Sequence, residues 1–228
     1  MHIERLTITY REKKLVDISF RIERSLALVG QSGSGKSLTL KALLGMLPES
    51  MRLRLDVTSD FQLIRGKTLA FVPQNPFTAL SPLTKIRDQF FIDASKMRRL
   101  LSLVDLDPAF ADRYPPELSG GQLQRIIIAI ALSSDPKLLL LDEPTTALDP
   151  TTRTRIIALL KRLRDELGFK ILFVTHDIPS AEALCEDICV IKGGIIQSSG
   201  KISELSRIKD AYTRMLMESS FAKRAFRV

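Results

Sequence analysis

One glycine-rich segment has the residue types and the spacing needed to hold a polyphosphate. Residues 30–37 read GQSGSGKS, which fits the phosphate-loop pattern G-x-x-x-x-G-K-[ST] in full. Glycines let the backbone wrap closely around phosphate oxygens, and successive N–H groups and the start of the next helix then face those oxygens. Lys36 is expected to reach the β- and γ-phosphates, and the Ser37 hydroxyl is expected to bind Mg²⁺. A chance glycine-rich turn is disfavoured because an apolar strand precedes the segment and a helical pattern follows it.

Two acidic residues end an apolar stretch later in the chain. Residues 138–141 predict a buried strand, and Asp142 and Glu143 follow it directly. Because parallel strands present their carboxyl ends at one edge of a sheet, both acids are expected beside the phosphate loop. Asp142 would support Mg²⁺ and its waters, and Glu143 would polarise an attacking water. Adjacent acids after a strand are also common helix-capping residues, so this interpretation depends on the phosphate loop.

The elements that must position these residues alternate between strands and helices. Rough period-2 alternation predicts strands in the first thirty residues. Further strands are predicted over residues 25–29, 68–72, 171–174 and 188–191, and helices over residues 36–47, 120–132 and 151–167. Residues 75–135 differ in showing short helical patterns, around 85–93 and 96–104, which indicate a helical insertion. The alternation predicts an α/β fold with a mainly parallel sheet.

A second anion-binding corner is predicted where the helix over residues 120–132 begins. Residues 118–122 read LSGGQ, which places a serine hydroxyl and glycine amides at a helix N-terminus. The segment resembles the signature motif of ABC (ATP-binding cassette) ATPases without a departure, and other phosphate-loop NTPases do not need it. In that family the corner closes over ATP held by the opposite subunit. The residues concerned here are Ser119, Gly120, Gly121 and Gln122.

The resemblance covers residues 3 to about 200 and implies further roles. Gln74 would contact Mg²⁺ and sense a membrane partner, His176 would contact the γ-phosphate and orient the attack, and Tyr10 would stack on adenine. Residues 147–149 (ALD) resemble the loop that crosses the dimer interface. A histidine or tyrosine beside a strand would otherwise be taken as structural. The implied sets are ATP-binding Tyr10, Gly30, Gln31, Ser32, Gly33, Ser34, Gly35, Lys36, Ser37 and Leu38, Mg²⁺-binding Ser37, Gln74 and Asp142, and catalytic Glu143 and His176.

The resemblance also implies the architecture. It predicts a phosphate-loop NTPase core of α/β class with a mainly parallel sheet, an N-terminal antiparallel β part and a small helical insertion. The whole chain, residues 1–228, would be a single ABC ATPase domain with the helical subdomain at about 75–135. Leu38 departs from the family pattern, which has Ser or Thr after Ser37. Leucine lacks a hydroxyl near the α-phosphate but keeps its backbone N–H.

Three segments resemble the peptide/nickel importer branch of the family: residues 73–82 (PQNPFTALSP), 142–149 and 211–216. The branch implies a second ATPase subunit, usually a different chain, together with two membrane-spanning permease subunits and an external binding protein. Phe77 and Leu80, held between prolines, are expected to contact a helix of a permease subunit, or else to pack inside the insertion. The transported substrate, nickel or a peptide, stays open because the ATPase does not touch it.

Two other classes of function are alternatives to import. One is an ATPase-like subunit of a soluble multienzyme complex of the phosphonate-degradation type, which stays open. The other is an ABC ATPase acting on DNA or ribosomes, which typically has long coiled-coil insertions or two cassettes, and the sequence has neither. The net charge of +8 comes from dispersed basic residues without interleaved stacking aromatics, so no nucleic-acid partner is predicted.

Composition predicts a protein that stays in the cytosol, and the resemblance to importer ATPases implies a peripheral place at the cytoplasmic face of the inner membrane. No apolar run approaches the ~18 residues of a membrane span, and residues 126–132 form the longest one. The N-terminus is not expected to be a secretory signal, because no basic segment precedes an apolar one. Cys185 and Cys189 are expected to be small apolar core residues rather than metal ligands.

Overall fold

The computed structural model describes residues 1–207 and 210–225, which form two compact units. The first unit comprises residues 1–63 and the described residues from 170 onward, and the second comprises residues 64–169. The strands are β1 His2–Tyr10, β2 Lys13–Arg21, β3 Ser25–Val29, β4 Met51–Thr58, β5 Leu69–Val72, β6 Leu138–Asp142, β7 Lys170–Thr175, β8 Asp187–Lys192 and β9 Ile195–Lys201. The α-helices are α1 Lys36–Leu43, α2 Ala94–Leu103, α3 Gly120–Leu132, α4 Pro150–Leu167, α5 Ile178–Leu184 and α6 Ala211–Ala225.

The first unit contains the predicted antiparallel part. Its strand order is β2-β1-β4, and Tyr10 at the end of β1 lies opposite Lys13 and Met51. The β1–β2 turn has both central residues, Arg11 and Glu12, at positive φ (45° and 65°), which matches the right-handed twist of the strands. Strand β4 was not predicted, although its sequence MRLRLDVT alternates apolar with charged or polar residues at period 2.

The parallel strands of the first unit carry the phosphate loop. β3 pairs in parallel with β7 on one side and β8 on the other, and β9 adds an antiparallel edge to β8. Every residue of β3 is buried, which explains why its sequence SLALV is apolar without alternation after the first serine. Strand β9 was not predicted. The loop of residues 30–37 begins directly after the carboxyl end of this central strand.

Helix α1 is shorter than predicted. It was expected to run to residue 47 and to be stopped by Pro48, but it ends at Leu43. Gly45 takes a left-handed conformation with φ of 64°, and the Met46 N–H donates to the Lys41 carbonyl while the Gly45 N–H donates to the Ala42 carbonyl. This pair of hydrogen bonds is a Schellman motif, so Gly45, two residues before the predicted end, closes the helix.

The second unit combines parallel strands with helices. β5 and β6 pair in parallel, and α3 packs against α2, α4 and β5. The predicted helix around residues 85–93 is only a 3₁₀ turn, Ile86–Gln89, whereas the one around 96–104 is α2. α2 begins two residues earlier than predicted because the Asp93 carboxylate accepts the Lys96 N–H at 2.9 Å and caps it.

The α/β class, the parallel strands and the antiparallel N-terminal part are confirmed. The single domain over 1–228, with a helical subdomain at about 75–135, stays a prediction. Both cysteines are buried, as expected, and burial together with the nearby Asp187 carboxylate raises the pKa of the Cys189 thiol to about 12. Among the residues that the structure describes, no helix has the length and apolar character to cross a membrane.

Candidate active site

The phosphate loop, residues 30–37, joins β3 to α1 in the first unit, and its glycines meet specific backbone constraints. Gly35 has φ of 107° at the N-cap of α1, where any other residue would be strained. A Cβ on Gly30 would lie 2.2 Å from the carbonyl oxygen of Ile191 in β8. Because that neighbour is backbone, a larger residue at position 30 would displace the strand. Gly30 and Gly35 are therefore needed by the fold as well as by the pattern that binds phosphate.

Lys36 lies over this loop. Its side chain is buried, and Nζ donates to the carbonyl oxygens of Gly30 at 2.8 Å and Gln31 at 3.0 Å. The ammonium is therefore already held among the loop's backbone groups, where the phosphates of a nucleotide are expected. Phosphate oxygens accept charge-assisted hydrogen bonds, which are stronger than those of neutral carbonyls. Ser37 lies in the first turn of α1 and is exposed.

Two other predicted residues, Tyr10 and His176, also lie in the first unit. Tyr10 is half-buried at the end of β1, with the Arg11 guanidinium 5.2 Å from its ring centroid. A guanidinium over one face means that an adenine would have to stack on the other. His176 is exposed after β7, and the turn that carries it is fixed by a 3.0 Å hydrogen bond from the Asp177 N–H to the Thr175 hydroxyl.

The second unit contains the predicted carboxylates. Asp142 is the partly buried last residue of β6, and Glu143 follows it with φ of 45°. Left-handed backbone is uncommon for glutamate and costs energy, and such strain clusters at functional sites. The Glu143 carboxylate accepts a hydrogen bond from the Thr146 hydroxyl at 3.0 Å, and Gln74 Nε2 lies 3.5 Å from it. The structure thus brings Gln74 and Glu143 together, because β5 and β6 end side by side.

The signature corner lies at the start of α3 in the same unit. The Ser119 hydroxyl accepts the Gln122 N–H at 3.3 Å, and Gln122 Oε1 accepts the Ser119 N–H at 2.9 Å. This reciprocal pair is a capping box, a role for Gln122 that was not predicted. A Cβ on Gly121 would lie 2.6 Å from Thr152 Cγ2, and one on Gly120 would contact Phe77 and Leu148. Close packing against α4 therefore accounts for Gly121 independently of any anion, whereas the contacts at Gly120 are ordinary ones that a Cβ could make.

The segment that resembles an interface loop ends in a helix cap. The Asp149 carboxylate accepts the backbone N–H groups of Thr151 and Thr152, each at 3.0 Å, and so begins α4. Hydrogen bonds from the Thr152 side chain and backbone hold the pKa of Asp149 below its usual range. The carboxylate therefore stays ionised at the positive end of the helix under ordinary conditions.

Sequence reasoning missed one residue beside the phosphate loop. The hydroxyl of Tyr212 in α6 accepts the backbone N–H of Gln31 at 3.2 Å, across 181 positions of the chain. No local spacing predicts such a contact. The only signal was indirect, since residues 211–216 form one of the segments that resemble the importer branch.

The residues expected to hold Mg²⁺ have suitable chemistry. Ser37 offers a hydroxyl, Asp142 a carboxylate and Gln74 an amide oxygen, and all three side chains are at least partly exposed. These are hard oxygen donors of the kind that Mg²⁺ prefers. The donor set therefore fits the ion. The roles of the individual site residues stay predictions.

The fold defines the class of the protein. A solved dimer of an ATP-binding cassette, in a post-hydrolysis state with ADP and Pi bound, matches with a TM-score of 0.69 and 28% identity. The match covers 88% of this chain and 98% of that one. The chain has the fold of an ATP-binding cassette. The family model described as ABC transporter matches residues 14–146, so the chain belongs to this family, as its motifs predicted.

Curated relatives agree with this assignment. The oligopeptide transport ATP-binding protein OppD of Mycobacterium tuberculosis is 36% identical, over 83% of this chain and 36% of its own length. The dipeptide transport ATP-binding protein DppD of Lactococcus lactis is 34% identical, over 90% of this chain and 67% of its own length. The oligopeptide transport ATP-binding protein AmiE of Streptococcus pneumoniae is 37% identical, over 79% of this chain and 58% of its own length. The chain thus spans between about a third and about two thirds of the length of these relatives.

Proposed function

We propose that this chain is the ATP-binding and ATP-hydrolysing subunit of an ABC importer that takes up peptides. The observation that carries the proposal is the complete phosphate loop, with the Lys36 ammonium held against the Gly30 and Gln31 carbonyls. Relatives named as oligopeptide and dipeptide transport ATP-binding proteins support a role in transport and peptides as the cargo.

The proposed chemistry assigns each group a step. The loop N–H groups and Lys36 bind the phosphates, and Mg²⁺ bound with ATP would neutralise charge that develops on them. Glu143 accepts a proton from the attacking water, and its contacts with Thr146 and Gln74 orient the carboxylate for that task. His176 contacts the γ-phosphate and keeps the water in line. Tyr10 stacks on the adenine ring.

The proposed partners follow from the signature corner, which needs ATP held by another subunit. Ser119 and the amides after it would bind the γ-phosphate of ATP held by a second ATPase subunit, which we propose is a different chain. Two membrane-spanning permease subunits and an external binding protein complete the proposed importer. The chain would then lie at the cytoplasmic face of the inner membrane, without a nucleic-acid partner.

The proposal is tested by transport. In vesicles that contain the assembled importer, ATP should drive uptake of a radiolabelled oligopeptide, and the same preparation should not take up ⁶³Ni²⁺. An importer assembled with the Lys36→Ala chain, which lacks the ammonium at the phosphate loop, is the matched control and should take up neither. Uptake of nickel without peptide would replace the proposed cargo with the alternative ion. Co-purification with soluble enzymes of phosphonate breakdown, and not with membrane subunits, would contradict import itself.

The docking loop, residues 75–82, is ordered by its own hydrogen bonds. Its 3₁₀ turn Pro76–Thr78 is capped by the Asn75 side chain, which accepts the Phe77 N–H at 2.9 Å. The Phe77 side chain is 58% exposed, and Leu83 and Phe91, farther along the same unit, are 88% and 95% exposed. Apolar side chains held out by a proline-bounded loop bind a partner with little loss of entropy. We propose that this loop contacts a helix of a permease subunit.

Replacing Phe77 with aspartate is therefore expected to uncouple transport from ATP hydrolysis. Peptide uptake should fall by about tenfold or more, as for removal of an aromatic anchor, while the melting temperature and ATPase activity stay near those of the wild type. Ile195→Asp is the matched control, because Ile195 is 53% exposed but lies in β9 of the other unit. Normal transport by a well-folded Phe77→Asp importer would remove this loop from the docking surface.

A further inference from the structure

The C-terminal helix α6 contacts the phosphate loop through one hydrogen bond. The hydroxyl of Tyr212, in the first turn of α6, accepts the N–H of Gln31 at 3.2 Å. Tyr212 is 7% exposed and Gln31 is an exposed residue, so this contact is partly buried. Both residues belong to the first unit. A segment that none of the nucleotide-binding motifs includes therefore reaches the loop that carries Lys36.

The contact involves the same peptide group that holds the lysine. The Gly30 carbonyl accepts a hydrogen bond from Lys36 Nζ at 2.8 Å, and the N–H of that peptide is the Gln31 N–H that donates to Tyr212. A peptide group is planar, and its C=O and N–H point in opposite directions. Fixing the N–H therefore also fixes the carbonyl. Loss of the Tyr212 hydroxyl would free this peptide to rotate. The Lys36 ammonium, which donates to its carbonyl, would then change position as well.

Tyr212 is itself held firmly. The Lys192 ammonium lies 4.7 Å from its ring centroid, in a cation–π contact. The Asp210 carboxylate accepts the N–H of Thr213 at 2.7 Å and its hydroxyl at 2.8 Å. The Thr213 hydroxyl also lies 2.7 Å from that of Ser198 in β9. These bonds fasten the start of α6 to the sheet, so the tyrosine ring has little freedom to move away.

Core packing does not account for the hydroxyl. A phenylalanine would fill the same apolar space, but it would leave the Gln31 N–H without its acceptor. A partly buried backbone N–H that loses its partner must find a water molecule or stay unpaired. The hydroxyl is thus the part of Tyr212 that acts on the loop.

We propose that Tyr212 is a positioning residue for the phosphate loop: its hydroxyl orients the Gly30–Gln31 peptide and thereby sets the place of the Lys36 ammonium. The start of α6 is then part of what determines nucleotide affinity. This inference rests on the proposed binding of ATP at the loop.

The test removes the hydroxyl alone. Tyr212→Phe should weaken binding of Mg-ATP roughly three- to tenfold, as expected for the loss of one neutral hydrogen bond. The KM for ATP in the assembled complex should rise by a similar factor, with kcat at saturating ATP within about twofold of the wild type. Tyr114→Phe is the matched control, because Tyr114 lies in the other unit, and it should leave the affinity unchanged.

Hydrogen exchange separates this inference from the proposed function. Without nucleotide, the Gln31 amide should exchange about tenfold faster in Tyr212→Phe, because its acceptor is missing. A lower melting temperature with unchanged affinity, KM and Gln31 exchange would make Tyr212 merely structural and would overturn the inference. Failure of the wild type itself to bind Mg-ATP would contradict the proposed function, and the exchange of Gln31 would still decide whether Tyr212 orients the loop.

Discussion

Replacing Glu143 with glutamine is expected to keep ATP binding while turnover falls by on the order of 10² or more. Glutamine has the same shape and can still accept the Thr146 hydroxyl hydrogen, which lies 3.0 Å from the native carboxylate. It cannot accept a proton from water. The backbone with φ of 45° is kept as well, so the change removes one chemical property without disturbing the turn.

Two measurements on the assembled complex check this expectation. Nucleotide affinity is measured by equilibrium binding, and turnover is measured by phosphate release at saturating Mg-ATP. Glu166→Gln is the matched control, because Glu166 is exposed on α4 and makes no proposed contact with nucleotide. A Glu143→Gln complex that hydrolyses ATP at the native rate would show that another group activates the water.

Lys36→Ala and Ser119→Arg are expected to fail at different steps. Alanine at position 36 removes the ammonium that the loop carbonyls hold, so nucleotide binding by the isolated chain should be abolished. Arginine at position 119 fills the signature corner with a bulky side chain, so binding to the chain's own loop should be spared while hydrolysis stops. The difference arises because the corner is proposed to act on ATP bound by the partner subunit.

The controls for this pair address folding. Ser119 caps α3, so its loss costs about 1 kcal/mol of stability whatever happens to the nucleotide. Asp93→Arg removes the comparable cap of α2 and should lower the melting temperature similarly without stopping hydrolysis. Equal loss of ATP binding in Lys36→Ala and Ser119→Arg would contradict a corner that acts across an interface.

Long helices whose ends are marked by glycine were predictable from the sequence. α3 begins at Gly120 and ends at Leu132 as expected, and α4 ends before Gly168, whose φ of 74° suits a left-handed cap. The edge strands β4 and β9 were missed because charged or polar residues make up much of each. The phosphate loop was found because its chemistry lies in eight consecutive residues.

Contacts between distant parts of the chain were not predictable. The Tyr212–Gln31 hydrogen bond depends on where α6 meets the loop, and no periodicity encodes that meeting. The fit of Gly121 against Thr152 likewise depends on how closely α3 and α4 approach. The left-handed conformation of Glu143 was not predictable either, because residue type alone favours a right-handed or extended backbone there.

The capping box at Ser119 and Gln122 has a consequence for how tightly the signature corner can bind. The serine hydroxyl and the glutamine amide each satisfy the other residue's backbone N–H. An arriving anion would compete with the hydroxyl and the amide oxygen for those N–H groups, so its binding would trade existing bonds for new ones. An exchange of this kind yields a small net free energy compared with filling empty donors. A corner with this low affinity would release its occupant readily, as the proposed contact with the partner subunit's ATP requires in each cycle.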